Sequence, residues 1–160
     1  MDTEIYNNIY WNEYIKCCNS LIEYLIKDEM DSEDIGHLSI SRGGLIPSTI
    51  ISNFFNRKFQ VIGIDSYNEN NQQDKFSTYQ NCELSYLKEY NKIFVIDDLI
   101  DSGNTLEYIN QYLLSINNNL DINYYTLFTK NKFENKNNFK IKSLHNIEDK
   151  WIIFPYERIV

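Results

Sequence analysis

Three aspartates, Asp97, Asp98 and Asp101, stand within five positions directly after an apolar run in the segment FVIDDLIDSGNT. Neighbouring carboxylates repel one another, and a buried charge is costly unless it is paired or binds a metal. The cluster therefore lies either at an exposed chain reversal or at a place where it holds a ligand. Because Asp or Ser commonly caps a helix that follows a strand, the local pattern alone leaves both interpretations open.

The turn that follows the acids has the composition of a phosphate site. It contains Ser102, Gly103, Asn104 and Thr105 at the point where a helix must start. Such a turn offers unpaired backbone N–H groups, two hydroxyls and the positive end of a helix dipole. Acids beside a phosphate turn are understandable if they bind hydroxyl groups or a metal ion instead.

A second turn, in the segment SISRGGLIP, has the same layout. Ser41, Arg42, Gly43 and Gly44 follow a predicted strand, and Pro47 can occupy the first turn of the next helix. Glycines let backbone N–H groups approach a ligand closely, and the Arg42 guanidinium matches phosphate oxygens. Together, the two turns predict a ligand that carries phosphates at two ends and hydroxyls between them.

The elements that must position these turns alternate along the chain. Apolar spacing predicts strands at 37–41, 59–67, 91–97 and 122–130 and helices at 9–26, 47–56 and 101–115. This alternation predicts an α/β fold with a mainly parallel twisted sheet flanked by helices, in which ligands bind at the carboxyl ends of the strands. We expect one domain over residues 1–160. Residues 68–85 are polar and without clear periodicity, and predict a long loop that acts as a mobile lid.

The overall charge and the cysteines exclude several classes of protein. The formal net charge of −8 argues against a general electrostatic grip on nucleic acid, which needs clustered Lys and Arg. The three cysteines form no CxxC pattern, which fits a reducing cytoplasm better than a disulfide framework. The N-terminal segment has acids where a signal peptide has bases, and no apolar run approaches the length that spans a membrane. We therefore expect a cytoplasmic protein.

The motifs taken together resemble a known family. VIDDLIDSGNTL resembles the phosphoribosyl-pyrophosphate signature of the type I phosphoribosyltransferases, and ISRGGLIP resembles the pyrophosphate loop of their 6-oxopurine branch, the xanthine-guanine and hypoxanthine-guanine enzymes. LFTK, DKWIIFPYE and DSYNENNQ resemble further segments of that branch in the same order. The likeness runs from about residue 36 to 157, most of the chain.

The resemblance implies a reaction and a role for each motif. Ribose 5-phosphate would pass from phosphoribosyl pyrophosphate to a purine nitrogen, with release of pyrophosphate. Asp97 and Asp98 would bind the ribose hydroxyls and help to place Mg²⁺, and Asp101 would accept the proton of purine N7 as a general base. The turn of Ser102, Gly103, Asn104 and Thr105 would hold the 5-phosphate, and Ser41, Arg42 and Gly43 would hold pyrophosphate.

The same resemblance assigns the base and the lid. Lys130 would donate to the 6-oxo oxygen, Trp151 would stack on the base, and the backbone near Ile152 would meet the 2-position. Residues 144–160 would form a hood over the base, and Ser66 and Tyr67 would begin the lid. Relatives of this kind form dimers or tetramers, so we expect a homo-oligomer.

Other interpretations are weighed against this one. A phosphoryl-receiver domain also has an acid pair at a strand end, but early in its chain and without a following SGNT turn. A regulator could keep the phosphoribosyl-pyrophosphate pocket as a sensor and lack catalysis, but this chain retains Asp101 and has no basic face. A different base, adenine or a pyrimidine, is a third alternative, although the Lys130 ammonium disfavours adenine. The preferred base among hypoxanthine, guanine and xanthine stays open, as Tyr156 stands where Trp is usual and no side chain clearly reads the 2-position.

Overall fold

The computed structural model describes residues 6–67 and 75–157. Eight strands and four helices follow one another along these residues. In chain order they are β1 (Tyr6–Asn8), α1 (Trp11–Lys27), β2 (Ile35–Ser41), α2 (Leu45–Phe55), β3 (Gln60–Tyr67), β4 (Lys75–Gln80), α3 (Leu84–Glu89), β5 (Lys92–Ile100), α4 (Asn104–Ile116), β6 (Asp121–Lys130), β7 (Lys140–Ile147) and β8 (Trp151–Ile153).

Six of the strands form one sheet in the order β4-β3-β2-β5-β6-β7. Every neighbouring pair is parallel except β3 and β4, which form an antiparallel pair at one edge. The mainly parallel α/β sheet expected from the sequence is confirmed. Since β2, β5 and β6 lie side by side and run in the same direction, the residues at their carboxyl ends reach one rim of the sheet.

The sheet is buried on both faces, which explains the unbroken apolar run of β5. Phe94 and Ile96 pack into the cluster that contains α1 and α2, whereas Ile93 and Val95 pack into the cluster that contains α4. These four side chains are each at most 1 % exposed. Side chains alternate between the faces of a strand, so Asp97 and Asp98 continue the same alternation at the end of β5.

The residues near the two ends of the described chain meet in a second, small sheet. Strand β1 pairs with β8 in parallel, and Ile9 donates a backbone hydrogen bond of 3.0 Å to Ile153. Phe154 packs edge-on against Tyr14 of α1, with 5.9 Å between ring centroids. These contacts fix residues 151–154, the central part of the predicted hood, against α1.

Several elements of the fold differ from the sequence-based expectation. The segment 68–85 was expected to be one loop, but Lys75–Gln80 forms β4 and the chain enters α3 at Leu84. Residues 68–74 of the predicted lid lie outside the described residues, and lid closure stays a prediction. Strand β7 was not predicted because its side chains at the sheet edge alternate only weakly between buried and exposed. No helix within the described ranges is long and apolar enough to cross a membrane.

Candidate active site

A cavity of about 660 Å³ lies where β2, β3, β5 and β6 reach their carboxyl ends. Its wall includes residues from the glycine turn, the acidic strand end and the predicted base-binding segments. The predicted site residues that line it are Ser41, Arg42, Gly43, Asp98, Asp101, Lys130, Trp151 and Ile152. Segments separated by as many as 111 positions in the chain, from Ser41 to Ile152, therefore face one space large enough for a small ligand.

The glycine turn, residues 41–44, packs directly against Asp98 at the end of β5. A Cβ atom at Gly43 would lie 2.2 Å from the nearer carboxylate oxygen of Asp98, so only glycine permits this approach. Gly44 has a different role from the one expected. Its N–H donates to the carbonyl of Ile40 at 2.8 Å, and a Cβ atom there would collide with the carbonyl of Ile96. Gly44 therefore allows the start of α2 to pack closely on the sheet, and its N–H is not free for a ligand.

Asp97 and Asp98, which we call the acidic pair, accept hydrogen bonds from the backbone and from Tyr156. Asp98 is 8 % exposed and accepts a hydrogen bond from the Tyr156 hydroxyl, while its own N–H donates to the Asp97 carboxylate at 2.9 Å. Burial, and then the charge of Asp98, raise the pKa of Asp97 well above its usual value. Burial also raises the pKa of Asp98, although the hydrogen bond from Tyr156 opposes this shift. Within the described part of the chain, neither carboxylate forms an ion pair with a lysine or an arginine.

The phosphate-like turn borders a second cavity, of about 410 Å³. It is lined by Ser102, Gly103 and Asn104. The preceding residue, Asp101, lines the first cavity, so consecutive residues of the chain border the two cavities. Gly103 has φ 86°, in the left-handed region that favours glycine, and precedes the first residue of α4. A Cβ atom at Gly103 would also collide with the ring of Phe133. The turn thus keeps the start of α4 open to the second cavity.

Asp101 belongs to a group of four charged side chains, which we call the ion ring. Lys130 contacts Asp101 at 3.1 Å and Asp149 at 3.6 Å, and Lys132 contacts Asp101 at 2.8 Å and Asp149 at 2.9 Å. Burial alone would raise the pKa of Asp101, but hydrogen bonds from Lys132 and Lys130 outweigh burial and lower it. In contrast to the acidic pair, both carboxylates of the ion ring are neutralised by lysines.

Lys130 and Trp151 lie close together at the wall of the first cavity. The Lys130 side chain is 6 % exposed, and its ammonium lies 6.0 Å from the centre of the Trp151 ring. Trp151 is 61 % exposed, which is unusual for a large aromatic side chain and leaves a ring face open to a planar ligand. Ile152 is buried beside it.

Some predicted residues are not brought into either cavity. Asp97 and Thr105 lie next to lining residues in the chain but do not line a cavity themselves. Ser66 and Tyr67 are the last residues of β3, where the predicted strand 59–67 also ends, and they pair with Phe76 and Lys75 of β4. Their place at the entry of the lid stays a prediction.

The first cavity also has lining residues to which the sequence analysis gave no individual role, although those after residue 151 belong to the predicted hood. Tyr79 of β4 donates a hydrogen bond of 2.7 Å from its hydroxyl to Ser41, and thereby holds the glycine turn from the antiparallel edge. The other such residues that line the cavity are Ile64, Asp65, Leu99, Phe154, Tyr156 and Glu157. Lys132 and Asp149 of the ion ring were likewise missed. A signal for both was their spacing, since each lies two positions from an assigned residue, Lys130 or Trp151.

The donor set of the acidic pair bears on metal binding. Among the described residues, no group of three or more His, Cys, Asp and Glu side chains is arranged to hold a metal ion. Asp97 and Asp98 provide two adjacent carboxylates. Mg²⁺ is commonly held by one or two carboxylates together with substrate phosphates and water. The residues present therefore suit a cation shared with a phosphorylated ligand and do not suit an all-protein metal cage.

Comparison with protein families gives a match over almost the whole chain. A family model described as the phosphoribosyl transferase domain matches residues 7–158. A curated relative from Idiomarina loihiensis, named xanthine-guanine phosphoribosyltransferase, is 27 % identical over 124 residues, which are 76 % of this chain and 70 % of that protein.

Solved structures share the fold. The purine phosphoribosyltransferase from Pyrococcus horikoshii superposes with a TM-score of 0.76 at 20 % identity, over 98 % of this chain and 97 % of that one. The xanthine-guanine-hypoxanthine phosphoribosyltransferase of Helicobacter pylori gives a TM-score of 0.72 at 19 % identity, over 95 % and 94 % of the two chains.

Proposed function

Because the chain belongs to the phosphoribosyl transferase domain family, we propose that it is a Mg²⁺-dependent purine-salvage enzyme that acts on 6-oxopurines. It transfers ribose 5-phosphate from phosphoribosyl pyrophosphate to guanine, hypoxanthine or xanthine, and gives the nucleoside monophosphate and pyrophosphate. One observation carries the proposal: Arg42, Asp98, Asp101, Lys130 and Trp151 line a single cavity. The xanthine-guanine name of a curated relative supports the choice of base class.

The sugar donor occupies the glycine turn, the acidic pair and the phosphate turn. Arg42 and the Gly43 amide bind the pyrophosphate, and Ser41 is held beside them by Tyr79. The 5-phosphate binds at the start of α4, where the first N–H groups have no partner within the helix and the helix dipole favours negative charge. The hydroxyls of Ser102 and Thr105 supply further donors. The ribose hydroxyls donate to Asp97 and Asp98.

Mg²⁺ fits the acidic pair for an electrostatic reason. The pKa values of Asp97 and Asp98 are raised, which means that the folded protein disfavours two adjacent negative charges without a cation. The metal, when bound, neutralises charge on the departing pyrophosphate. Asp97 and Asp98 hold it together with oxygens of the sugar donor, directly or through water.

The base lies between Lys130 and Trp151. Trp151 stacks on the purine ring through its exposed face, and the Lys130 ammonium donates to the 6-oxo oxygen. An ammonium has no acceptor lone pair, so the same position disfavours the 6-amino group of adenine. The backbone near Ile152 meets the 2-position of the purine.

Asp101 accepts the proton that leaves purine N7 as the new bond forms. Its pKa is lowered by the lysines of the ion ring, so its carboxylate is ionised at neutral pH and can accept a hydrogen bond from N7. The positive charge that develops at the anomeric carbon is balanced by nearby carboxylates and by the bound donor. Positioning and charge stabilisation therefore do most of the catalytic work.

The test is a steady-state assay with phosphoribosyl pyrophosphate and Mg²⁺ over a panel of nucleobases. The proposal expects nucleoside monophosphate from guanine, hypoxanthine or xanthine, an equal amount of pyrophosphate, and no product from adenine or orotate. Tight binding of phosphoribosyl pyrophosphate without turnover on any base would instead support a sensor. Turnover with adenine or orotate in preference to the oxopurines would contradict the assignment of Lys130.

The assembly and location of the protein are parts of the same proposal. Large apolar side chains on α1 and α2, Trp11, Ile26 and Phe54, are 50–58 % exposed, and their burial favours a homo-oligomer, a dimer or tetramer. Sedimentation equilibrium tests this, and a protein that stays monomeric at about 50 μM, where association with a micromolar dissociation constant would be seen, would contradict it. The three cysteines are unpaired, which is consistent with a cytoplasmic location.

A further inference from the structure

The ion ring joins the proposed general base to the residue that reads the base. Asp101 follows β5, Lys130 ends β6, Lys132 lies in the loop after β6, and Asp149 precedes β8. Each lysine contacts both aspartates at distances from 2.8 to 3.6 Å. Three elements of the fold therefore meet in one closed arrangement with two positive and two negative charges.

The two lysines differ in burial, and the difference separates their roles. The Lys130 side chain is 6 % exposed, whereas that of Lys132 is 43 % exposed. An ammonium has three N–H donors. Lys130 directs one of them to Asp101 at 3.1 Å and forms a longer ion pair with Asp149 at 3.6 Å, so a donor remains for the 6-oxo oxygen of a base. Lys132 contacts the same two aspartates from the solvent side and is not needed to contact the base.

We propose that Lys132 is a positioning residue, which holds the Asp101 carboxylate ionised and turned toward the base while Lys130 binds the 6-oxo oxygen. This inference rests on the function proposed above. When the base takes part of the hydrogen bonding of Lys130, Asp101 depends on its second lysine to stay in place. Without Lys132, one buried ammonium would have to balance two carboxylates and also bind the substrate.

The charges that face Asp101 set the direction of the expected pH effect. They are Lys130 from β6, Lys132 from the following loop and, across the ring, Asp149 from the segment before β8. Lys132 and Lys130 lower the pKa of Asp101 against the effect of burial. Removal of Lys132 therefore raises this pKa, so less Asp101 is ionised at acidic pH. The acid limb of the pH profile moves to higher pH.

The test compares Lys132→Met with Lys132→Arg and with Lys140→Met as a matched control. Lys140 also forms an exposed ion pair, with Asp121 at 2.6 Å, but it lies at the start of β7, away from the carboxyl-end rim. The measured quantities are kcat/KM for the base against pH and KM for phosphoribosyl pyrophosphate. For Lys132→Met we expect about a tenfold loss of kcat/KM at acidic pH, part of what a general base contributes. We expect a smaller loss at alkaline pH and an unchanged KM for the sugar donor.

The two other variants make the outcome specific. Lys132→Arg keeps a charged donor and restores most of the activity, and Lys140→Met follows the wild-type profile. An unchanged pH profile for Lys132→Met would overturn the inference. A higher KM for phosphoribosyl pyrophosphate with an unchanged pH profile would also overturn it, because Lys132 borders the second cavity and would then act as a phosphate ligand.

A measurement without turnover separates this inference from the proposed function. Carbon-13 NMR of aspartate carboxyls follows the titration of Asp101 in the ligand-free protein, with Asp101→Asn to assign the signal. We expect the Asp101 midpoint to rise in Lys132→Met and not in Lys140→Met, and an unmoved midpoint would overturn the inference. Absence of turnover by wild-type protein on every base would contradict the proposed function, whereas the NMR result would still decide the role of Lys132.

Discussion

The acidic pair and the ion ring place their carboxylates at one rim of the sheet in opposite electrostatic settings. Asp97 and Asp98 adjoin each other without a lysine or arginine partner in the described chain, and their pKa values are raised. Asp101 and Asp149 each contact two lysines, and the pKa of Asp101 is lowered. The difference supports the proposal that the acidic pair binds a cation together with its ligand, whereas the carboxylates of the ion ring already have lysine partners.

Among variants that test this difference, removal of the Asp101 charge is expected to have the largest effect on turnover. We expect Asp101→Asn to lower turnover by roughly 10²-fold or more, as for a lost general base, with little change in the binding of phosphoribosyl pyrophosphate. Steady-state kinetics and a binding titration measure the two effects. Asp121→Asn is a control at the opposite end of the sheet, where Asp121 pairs with Lys140. Wild-type turnover in Asp101→Asn would exclude the proposed role.

Removal of one charge from the acidic pair is expected to weaken ligand binding. Asp97→Asn loses a charged acceptor for the ribose and a partner for Mg²⁺. A hydrogen bond to a charged group contributes about 1.5–3 kcal/mol, so Mg²⁺-dependent affinity for phosphoribosyl pyrophosphate falls by about 10- to 100-fold. Isothermal titration calorimetry with and without Mg²⁺ measures this. Equal affinity in the variant and the wild type would show that Asp97 does not contact the bound donor.

The same variant is expected to be more stable than the wild type when no ligand is bound. A carboxyl whose pKa is raised on folding contributes stability at low pH, and this contribution is lost as pH rises through the raised pKa. At neutral pH this stabilising contribution is reduced or lost, and Asp97→Asn, which carries no charge to bury, raises the thermal midpoint by about 2–4 °C per kcal/mol removed. The gain disappears below the ordinary pKa of aspartate. A lower midpoint at pH 7 would contradict the electrostatic account of the acidic pair.

The smallest effect is expected for the outer carboxylate of the ion ring. Asp149 is half exposed, and ion pairs in such positions contribute at most about 1 kcal/mol. Asp149→Asn should therefore change the free energy of unfolding by less than that amount in urea titrations at pH 7. A loss of several kcal/mol would show that the ion ring supports the fold as a whole and is not mainly a feature of the site.

The sequence predicted the parts of the site that lie on contiguous segments. Strand β5 and the acids that end it were evident because a strand buried on both faces is apolar at every position, as Ile93–Ile96 are. The glycine turn was evident from its place between a strand and a helix. The expected alternation of strands and helices was also confirmed for β2, β3, β5 and β6.

What escaped prediction depends on contacts between distant segments or on edge strands. Strand β1 pairs with β8 more than 140 positions away, and neither has a local pattern long enough to show it. Strand β4 lies at the sheet edge, where polar side chains are tolerated on the open side, so its residues read as loop. Lys132 and Asp149 meet only when β6 and the segment before β8 are brought together. Tyr156 reaches Asp98 across 58 positions for the same reason.

The most direct test of the central claim is a crystal structure of the protein with Mg²⁺ and its nucleoside monophosphate product. The account predicts the 5-phosphate at the turn of Ser102–Thr105, the ribose against Asp97 and Asp98, and the base stacked on Trp151 with its 6-oxo oxygen at Lys130. A product molecule bound outside the two adjoining cavities, or with its base turned away from Lys130 and Asp101, would contradict it.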